Sequence, residues 1–292
     1  MGFGKMKILY LDNLAEPQAH GHIVIKWLNK MGHIVYNNKA IAIPDMVLVI
    51  RGEHQDIIKL RKQYKCPIVL WNWEPPGIPY LSKEKLDLYD LVFNSSKANN
   101  EWVKNRTTTP CIWLPQPIDP DIFRPLNIKK EIDVLYMGTY SPVRYNWIQT
   151  LVNLKEFKIT VVGNGWVNTK PVYLENLNFL MNKARCCLVL PSWSSPNFTG
   201  TDIKGRHYSL KNMMILASGT PMVYPEEQDF PSVFEDIGYF GIPYWDLESC
   251  YKAIKTVIKC PYQQQYKKAK TYEEQLNRII EEVHKLGKRK LG

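Results

Sequence analysis

Ile132–Met137 reads I-D-V-L-Y-M and runs directly into Gly138-Thr139-Tyr140-Ser141-Pro142. The first six residues favour a buried strand because most of them are apolar or aromatic. The glycine then predicts a tight turn, and Ser141 followed by Pro142 is typical of a helix N-cap and the first helical position. A strand, a short turn and a helix in this order form the repeating unit of a parallel α/β sheet.

The same unit recurs on both sides of this stretch. Short β-rich runs precede and follow it, separated by helical patterns of about ten residues. These runs are Met6–Leu11, His33–Tyr36, Met46–Ile50, Pro67–Trp71, Leu91–Phe93 and Ile112–Leu114 before it, and Lys158–Val162, Cys186–Leu190 and Met222–Tyr224 after it. Strands that alternate with helices imply parallel sheets. The predicted fold class is therefore α/β, with two Rossmann-like domains.

A proline-rich stretch from Leu114 to Pro125 interrupts the alternation. Proline fixes φ and removes a hydrogen-bond donor, so this stretch is predicted to be a stiff linker. The domains are predicted as 1–125, on the acceptor side, and 126–265, which holds the donor. Residues 266–292 are predicted to form a C-terminal helix that packs back on the first domain.

Composition and charge narrow the class of protein. The 292 residues are 45% hydrophobic and 23% charged, which is typical of a globular protein. No apolar run is long enough for a membrane span, Met1–Leu11 does not resemble a secretory signal, and the six cysteines form no C-x-x-C pair. A cytoplasmic protein with reduced thiols is expected. The net charge of +10 favours an anionic partner or substrate, or it reflects a generic lysine-rich surface.

Arg144 lies in the first turn of the helix that is predicted to begin after Ser141. The helix dipole disfavours a cation at this end. A bound anion would resolve the conflict. A side chain turned into the solvent would resolve it as well.

A second predicted helix start carries the same conflict. Thr201 to Lys211 leads into the helix Asn212–Ser218 and includes the basic residues Lys204, Arg206, His207 and Lys211. Free N–H groups at helix starts bind phosphates well, particularly beyond the carboxyl ends of parallel strands. One pyrophosphate shared by both turns explains the two clusters best. Arg144, Arg206, His207 and Lys211 are therefore predicted to bind a nucleotide donor.

Gly163-Asn164-Gly165-Trp166 follows the predicted strand that ends at Val162. Its glycines allow a ligand to approach the backbone closely, and Trp166 offers a flat face for a base or a sugar. Ordinary packing explains Trp166 equally well. Gly138, Gly163 and Trp166 complete the predicted donor site.

The sequence lacks several common catalytic motifs. It has no P-loop, no G-x-S-x-G nucleophile turn, no H-E-x-x-H and no paired C-x-x-C. The only close histidine pair, His20 and His22, does not have the spacing of one helix face. No metal site is predicted.

Three segments of the second half resemble the CgeB-like (spore-maturation type) glycosyltransferases of the GT-B fold. They are E-I-D-V-L-Y-M-G-T at Glu131–Thr139, V-V-G-N-G-W at Val161–Trp166 and L-A-S-G-T-P-M-V at Leu216–Val223. The stretch Tyr89–Pro125 is similar to the interdomain region of that family. The resemblance covers about residues 89–260. It implies two Rossmann-like domains whose parallel sheets face a central cleft.

The sequence also departs from this family. The donor helix of related enzymes usually carries two glutamates, and the resemblance places Arg206 and Met214 at those positions, while Lys211 matches the family's basic residue. Three interpretations remain open: an altered donor, ribose contacts made elsewhere, or a domain without catalysis.

Residues of the first domain are expected to bind the acceptor and to supply any catalytic base. Glu74 follows a predicted strand directly, between tryptophans and a proline pair, a setting that can raise the pKa of a carboxyl group. His20 is the second candidate because the ordinary pKa of histidine suits proton transfer near neutrality. Asp12 lies at a similar strand end. Glu74 and His20 are predicted as catalytic residues, with a role in merely lining the cleft as the alternative for each.

The predicted function is transfer of a sugar from a nucleotide diphosphate sugar to a hydroxyl acceptor. The acceptor is either a glycan or a hydroxymethylated base in DNA, and no cofactor or metal is expected. A non-catalytic sugar- or nucleic-acid-binding protein with a decayed GT-B fold is the alternative.

Overall fold

The computed structural model describes residues 4–12, 20–51, 56–73, 81–167, 169–190, 210–226, 241–259 and 269–289. The chain forms two compact units. Unit 1 combines Met1–Pro117 with Lys270–Gly292, and unit 2 is the continuous segment Ile118–Ala269. Each unit is built on one parallel sheet.

Unit 1 contains a six-stranded sheet in the order β2-β1-β3-β4-β5-β6, and all neighbouring strands are parallel. Its strands are β1 (Lys7–Leu11), β2 (Ile34–Asn37), β3 (Met46–Ile50), β4 (Ile68–Asn72), β5 (Leu91–Asn94) and β6 (Cys111–Trp113). Its helices are α1 (His20–Lys30), α2 (Ile57–Gln63), α3 (Lys83–Leu86), α4 (Lys97–Lys104) and, from the end of the chain, α9 (Tyr272–Arg289). Because the strands are parallel, their carboxyl ends lie at one edge of the sheet.

The core of unit 1 forms around its central strands. Strands β3 and β4 are buried along their whole length, as expected of parallel strands that are covered on both faces. Helix α9 packs against α1. The buried apolar and aromatic side chains of α9 are Tyr272, Leu276, Ile279, Ile280 and Val283. The side chain of Gln275 also donates a 3.0 Å hydrogen bond to the carbonyl oxygen of Pro115.

Unit 2 contains a five-stranded parallel sheet in the order β11-β10-β9-β7-β8. Its strands are β7 (Ile132–Met137), β8 (Ile159–Val162), β9 (Ala184–Leu188), β10 (Met222–Pro225) and β11 (Gly241–Tyr244). The helices described in this unit are α5 (Pro142–Asn153), α6 (Leu174–Lys183), α7 (Leu210–Ser218) and α8 (Leu247–Lys259). Two apolar clusters form the core, one including side chains of α7 and the other side chains of α5 and α8.

The segment that leads into β7 is fixed to unit 2. Ile118 and Phe123 are buried in one of its two apolar clusters. The side chain of Asn182, near the end of α6, accepts a 2.7 Å hydrogen bond from the backbone N–H of Leu126 and donates one of 3.1 Å to the carbonyl of Arg124. These bonds satisfy backbone groups that no strand or helix serves.

The predicted fold class, α/β with two parallel sheets, is confirmed. The bounds of Met46–Ile50 and Ile132–Met137 match the predicted runs. Five cysteines are free thiols, of which Cys186, Cys187 and Cys250 are buried, while Cys260 lies outside the described residues. Within the described ranges, no helix has both the length and the apolar character needed to cross a bilayer.

Candidate functional site

In unit 2, the backbone just after β7 is hydrogen-bonded to the end of β8. The N–H of Gly138 donates a 2.9 Å hydrogen bond to the carbonyl of Val162, at the end of β8. Gly163 has a φ of +146°, and a β-carbon there would overlap the carbonyl oxygen of Gly138. Only glycine fits this approach without strain. The turn after β7 and the turn after β8 therefore form one rigid surface.

Trp166 holds this surface together. Its indole Nε1 donates a 2.7 Å hydrogen bond to the carbonyl of Gly138, and its ring lies edge to face against Tyr136 and Tyr140, with centroids 5.7 and 5.4 Å away. The side chain is buried. Of the two roles considered for this tryptophan, packing accounts for the contacts observed.

Helix α5 begins as its sequence predicts. Ser141 is the N-cap, its hydroxyl accepts a 3.3 Å hydrogen bond from the N–H of Arg144, and Pro142 is the first helical residue. The guanidinium of Arg144 turns back toward the strand end and donates a 2.9 Å hydrogen bond to the carbonyl of Thr139. Only 8% of Arg144 is exposed. The alternative of an arginine turned into the solvent is therefore not observed.

Lys211 brings a second cation to the same strand end. It is the second residue of α7, and its Nζ donates a 2.7 Å hydrogen bond to the carbonyl of Met137, the last residue of β7. Although the residue as a whole is half-buried, its ammonium group is enclosed. Burial, with a smaller contribution from the positive charge of Arg144, lowers the pKa of Lys211 to about 8. A bound anion would stabilise both cations.

Tyr136 lies beneath this pair and was not among the predicted site residues. It is 1% exposed, and within the described part of the chain its hydroxyl has no hydrogen-bond partner. Burial raises the pKa of Tyr136 to about 12, although the charge of Arg144 acts in the opposite direction. The signal in the sequence is weak: a tyrosine inside an apolar strand, two residues before the glycine turn.

Arg206 and His207, the other predicted donor ligands, lie outside the described residues. Met214, at one of the two positions where the family has a glutamate, packs against the apolar core from α7. The structure thus brings together Gly138, Arg144, Gly163, Trp166 and Lys211.

The carboxyl edge of the unit 1 sheet also carries polar side chains. The buried carboxylate of Asp12, just after β1, accepts a 2.9 Å hydrogen bond from the hydroxyl of Tyr10 and lies 3.9 Å from Nη2 of Arg51. Arg51, directly after β3, has a φ of +63°. Backbone strain of this kind is concentrated at functional sites.

A chain of buried amides follows along the same edge. Asn72 and Asn94 are the last residues of the neighbouring strands β4 and β5, and the side chain of Asn72 donates to that of Asn94 at 3.3 Å. Asn94 in turn donates to Asn100 at 3.3 Å. Gln116 donates a 3.3 Å hydrogen bond to the carbonyl of Trp73, while among the described residues nothing donates to its buried Oε1. Buried amides at strand ends are suited to binding the hydroxyl groups of a ligand.

Of the two predicted catalytic residues, only His20 lies within the described part of the chain. Glu74 lies outside the described residues, one position beyond Trp73. His20 is the first residue of α1. Asp12, the third residue considered, is described and lies at the carboxyl edge of the sheet.

Comparisons with known proteins concern the family and the fold of the chain. Residues 144–282 match the sequence model of a family described as glycosyl transferase-like, which is almost half of the chain. No curated protein matches the sequence significantly. The finer resemblance to CgeB-like enzymes stays a prediction.

Several solved structures share the fold over nearly the whole chain. AviGT4, a glycosyltransferase involved in avilamycin A biosynthesis, is 14% identical with a TM-score of 0.66, covering 97% of this chain and 98% of its own. HepE (Alr3699) of Anabaena, in complex with UDP and glucose, is 12% identical with a TM-score of 0.59 over the same shares. The DNA-modifying enzyme β-glucosyltransferase, solved with and without UDP-glucose, is 15% identical with a TM-score of 0.56, covering 96% and 97%. The chain therefore has the GT-B fold.

Proposed function

We propose that this chain is a glycosyltransferase that moves a sugar from a nucleotide diphosphate sugar to a hydroxyl acceptor. The observation that carries the proposal is the convergence of Arg144 and Lys211 on the carboxyl end of β7, beside the N-terminus of α5. Two enclosed cations at the positive end of a helix dipole form a site for a diphosphate.

The chemistry of transfer explains what these cations do. When the bond between the sugar and the diphosphate breaks, negative charge develops on the departing nucleoside diphosphate. Arg144, Lys211 and the α5 dipole stabilise that charge most where it is greatest, in the transition state. Because the chain supplies these cations itself, we propose that transfer does not require a divalent metal. The family match and the shared fold with enzymes bound to UDP-sugars support this assignment.

The acceptor is proposed to bind at the carboxyl edge of the unit 1 sheet. Asp12, Asn72, Asn94 and Gln116 offer neutral or paired polar groups there. Such groups suit an uncharged acceptor with several hydroxyls, which favours a glycan.

A hydroxymethylated base in DNA is the second candidate acceptor. The observation that favours it is the net charge of +10, together with eight basic and four acidic residues from Lys267 to Gly292. One structural neighbour is itself a DNA-modifying glucosyltransferase. An enzyme acting on a base in a duplex would have to turn that base out of the stack.

Donor binding is tested first by calorimetry with UDP, followed by other nucleoside diphosphates. Arg144→Ala and Lys211→Met should each weaken binding by roughly 1.5–3 kcal/mol, the value of a charge-assisted hydrogen bond. The exposed residues Arg185 and Lys252 provide matched controls, and their alanine variants should bind like the wild type. Near-normal affinity in both site variants would refute the donor site.

Measurement of donor hydrolysis and of sugar transfer then distinguishes an enzyme from a binding protein. An active transferase should release UDP slowly from its sugar nucleotide even without an acceptor, because water replaces the acceptor hydroxyl. Tight donor binding with neither hydrolysis nor transfer would favour the non-catalytic alternative.

The acceptor is tested with DNA at several salt concentrations. If basic residues of the C-terminal segment contact phosphates, each neutralised phosphate should add about 0.9 to the slope of log affinity against log salt. Removal of the last eight residues should lower that slope and leave donor hydrolysis intact. Weak DNA binding at about 0.15 M salt, unchanged by truncation, would favour a glycan acceptor. Transfer to a sugar but not to hydroxymethylated DNA would decide against DNA.

A further inference from the structure

We infer that the hydroxyl of Tyr136 is a third ligand of the bound diphosphate, beside Arg144 and Lys211. This inference rests on the proposed donor site and adds a residue to it. It starts from the buried hydroxyl that, in the described part of the chain, donates to no acceptor.

The position of the hydroxyl is set by Gly138. A β-carbon on Gly138 would lie 2.6 Å from Oη of Tyr136 and 3.2 Å from Nζ of Lys211. The hydroxyl and the ammonium therefore lie near each other, on the same side of one glycine. One phosphate oxygen can accept hydrogen bonds from both groups.

The chemistry of the hydroxyl selects an anionic acceptor. A phenol is protonated at neutral pH, and burial raises the pKa of Tyr136 further, so that its hydroxyl acts as a donor. Arg144 and Lys211 lie near this hydroxyl, and the cationic form of neither side chain can accept its hydrogen. A phosphate oxygen is an acceptor that also neutralises these charges.

The packing of the described residues gives no reason for a tyrosine rather than a phenylalanine at this position. The ring of Tyr136 lies edge to face with Trp166 inside an apolar cluster, and a phenylalanine would make the same contacts. A buried hydroxyl without a partner is unfavourable in the free protein. With no partner among the described residues, the hydroxyl is expected to lower the stability of the free protein, and the bound diphosphate would compensate for the loss.

Tyr136→Phe tests the inference because it should change stability and binding in opposite directions. The melting temperature of the free protein should stay the same or rise, since an unsatisfied hydroxyl is removed. Affinity for UDP and for inorganic diphosphate should fall about tenfold to a hundredfold, and affinity for uridine should not change. Tyr145→Phe, which alters a partly exposed ring of the same aromatic cluster, is the control and should change neither.

Gly138→Ala provides an independent variant. Its methyl group would collide with the Tyr136 hydroxyl and crowd Lys211, so UDP affinity should fall. Tyr136→Phe removes the closest of these contacts. Gly138→Ala should therefore lower the free energy of unfolding less in the Tyr136→Phe background than in the wild type.

The outcomes separate the inference from the donor site itself. Normal UDP affinity in Tyr136→Phe, with weakened binding in Arg144→Ala and Lys211→Met, overturns the role of Tyr136 and leaves the site standing. Normal affinity in all three variants overturns both. A loss of stability together with affinity in Tyr136→Phe would show a structural role and would also overturn the inference.

Discussion

The ammonium of Lys211 donates a 2.7 Å hydrogen bond to the carbonyl of Met137, so that the start of α7 is tied to the end of β7. This bond holds a cation in an enclosed position near Arg144, which explains why its pKa is lowered to about 8. The same bond places the charge where a diphosphate would bind.

Donor affinity should therefore depend on pH above neutrality. A lysine with a lowered pKa is charged below about pH 8 and loses its charge as the pH rises through that value. The diphosphate prefers the charged form, so binding should take up protons and weaken by about tenfold from pH 7 to pH 9. Phosphate groups lose their second proton near pH 6, so the ligand itself should contribute little in this range. Calorimetry across these pH values measures the effect.

Lys211→Met supplies the comparison for the pH experiment. Its affinity for UDP should be low and nearly constant over the same range. If the UDP affinity of the wild type does not fall between pH 7 and pH 9, the assignment of the titration to Lys211 is contradicted. A fall in affinity that persists in Lys211→Met would contradict it as well.

Gly163→Ala should destabilise the protein by at least about 2 kcal/mol, because the backbone conformation and the contact with Gly138 both exclude a side chain. Gly287, in the exposed part of α9, is the matched control, since a β-carbon there meets nothing within 4 Å. Gly287→Ala should stabilise by about 0.5–1 kcal/mol through helix propensity. Urea denaturation measures the free energy of unfolding of both variants. Equal changes in the two variants would refute the prediction.

Asn182→Ala should cost roughly 2–4 kcal/mol, because it leaves the N–H of Leu126 and the carbonyl of Arg124 without their partner. Asn153→Ala, on the exposed surface of α5, should have a small effect of either sign. Thermal melts of the two variants would disprove the anchoring role of Asn182 if they coincide.

Glu74→Gln tests the predicted base. Replacement of a general base should reduce turnover by about 10²–10⁴-fold and leave donor affinity nearly unchanged. If the variant keeps most of its activity, His20→Asn and Asp12→Asn become the decisive measurements.

The sequence predicted the elements whose residues determine their own structure. Met46–Ile50 is a continuous apolar run and Ile132–Met137 is apolar or aromatic except for Asp133, and the structure has strands with the same bounds. Ser141 and Pro142 define the start of α5 because capping is a local interaction. Strand β11 was not predicted, since G-I-P-Y contains a proline, which is tolerated there because β11 is an edge strand.

The candidate site was predictable only in part, for a physical reason. Arg144 and Lys211 each conflict with a helix dipole, and this conflict can be seen in the sequence alone. The roles of Tyr136 and Trp166 depend on contacts between segments far apart in the chain, at Gly138 and across the sheet. No local pattern distinguishes a buried tyrosine without a hydrogen-bond partner from an ordinary core residue.

Because α9 completes unit 1 from the far end of the chain, the two units cannot finish folding in the order in which they are synthesised. Unit 2 is continuous and has all of its strands once Ala269 has left the ribosome. Unit 1 cannot complete its core until α9 has been synthesised, because α9 buries Tyr272, Leu276, Ile279, Ile280 and Val283. Domains usually fold from the N-terminus onward during translation. We expect the reverse here, with the first unit to emerge being the last to become resistant to proteases.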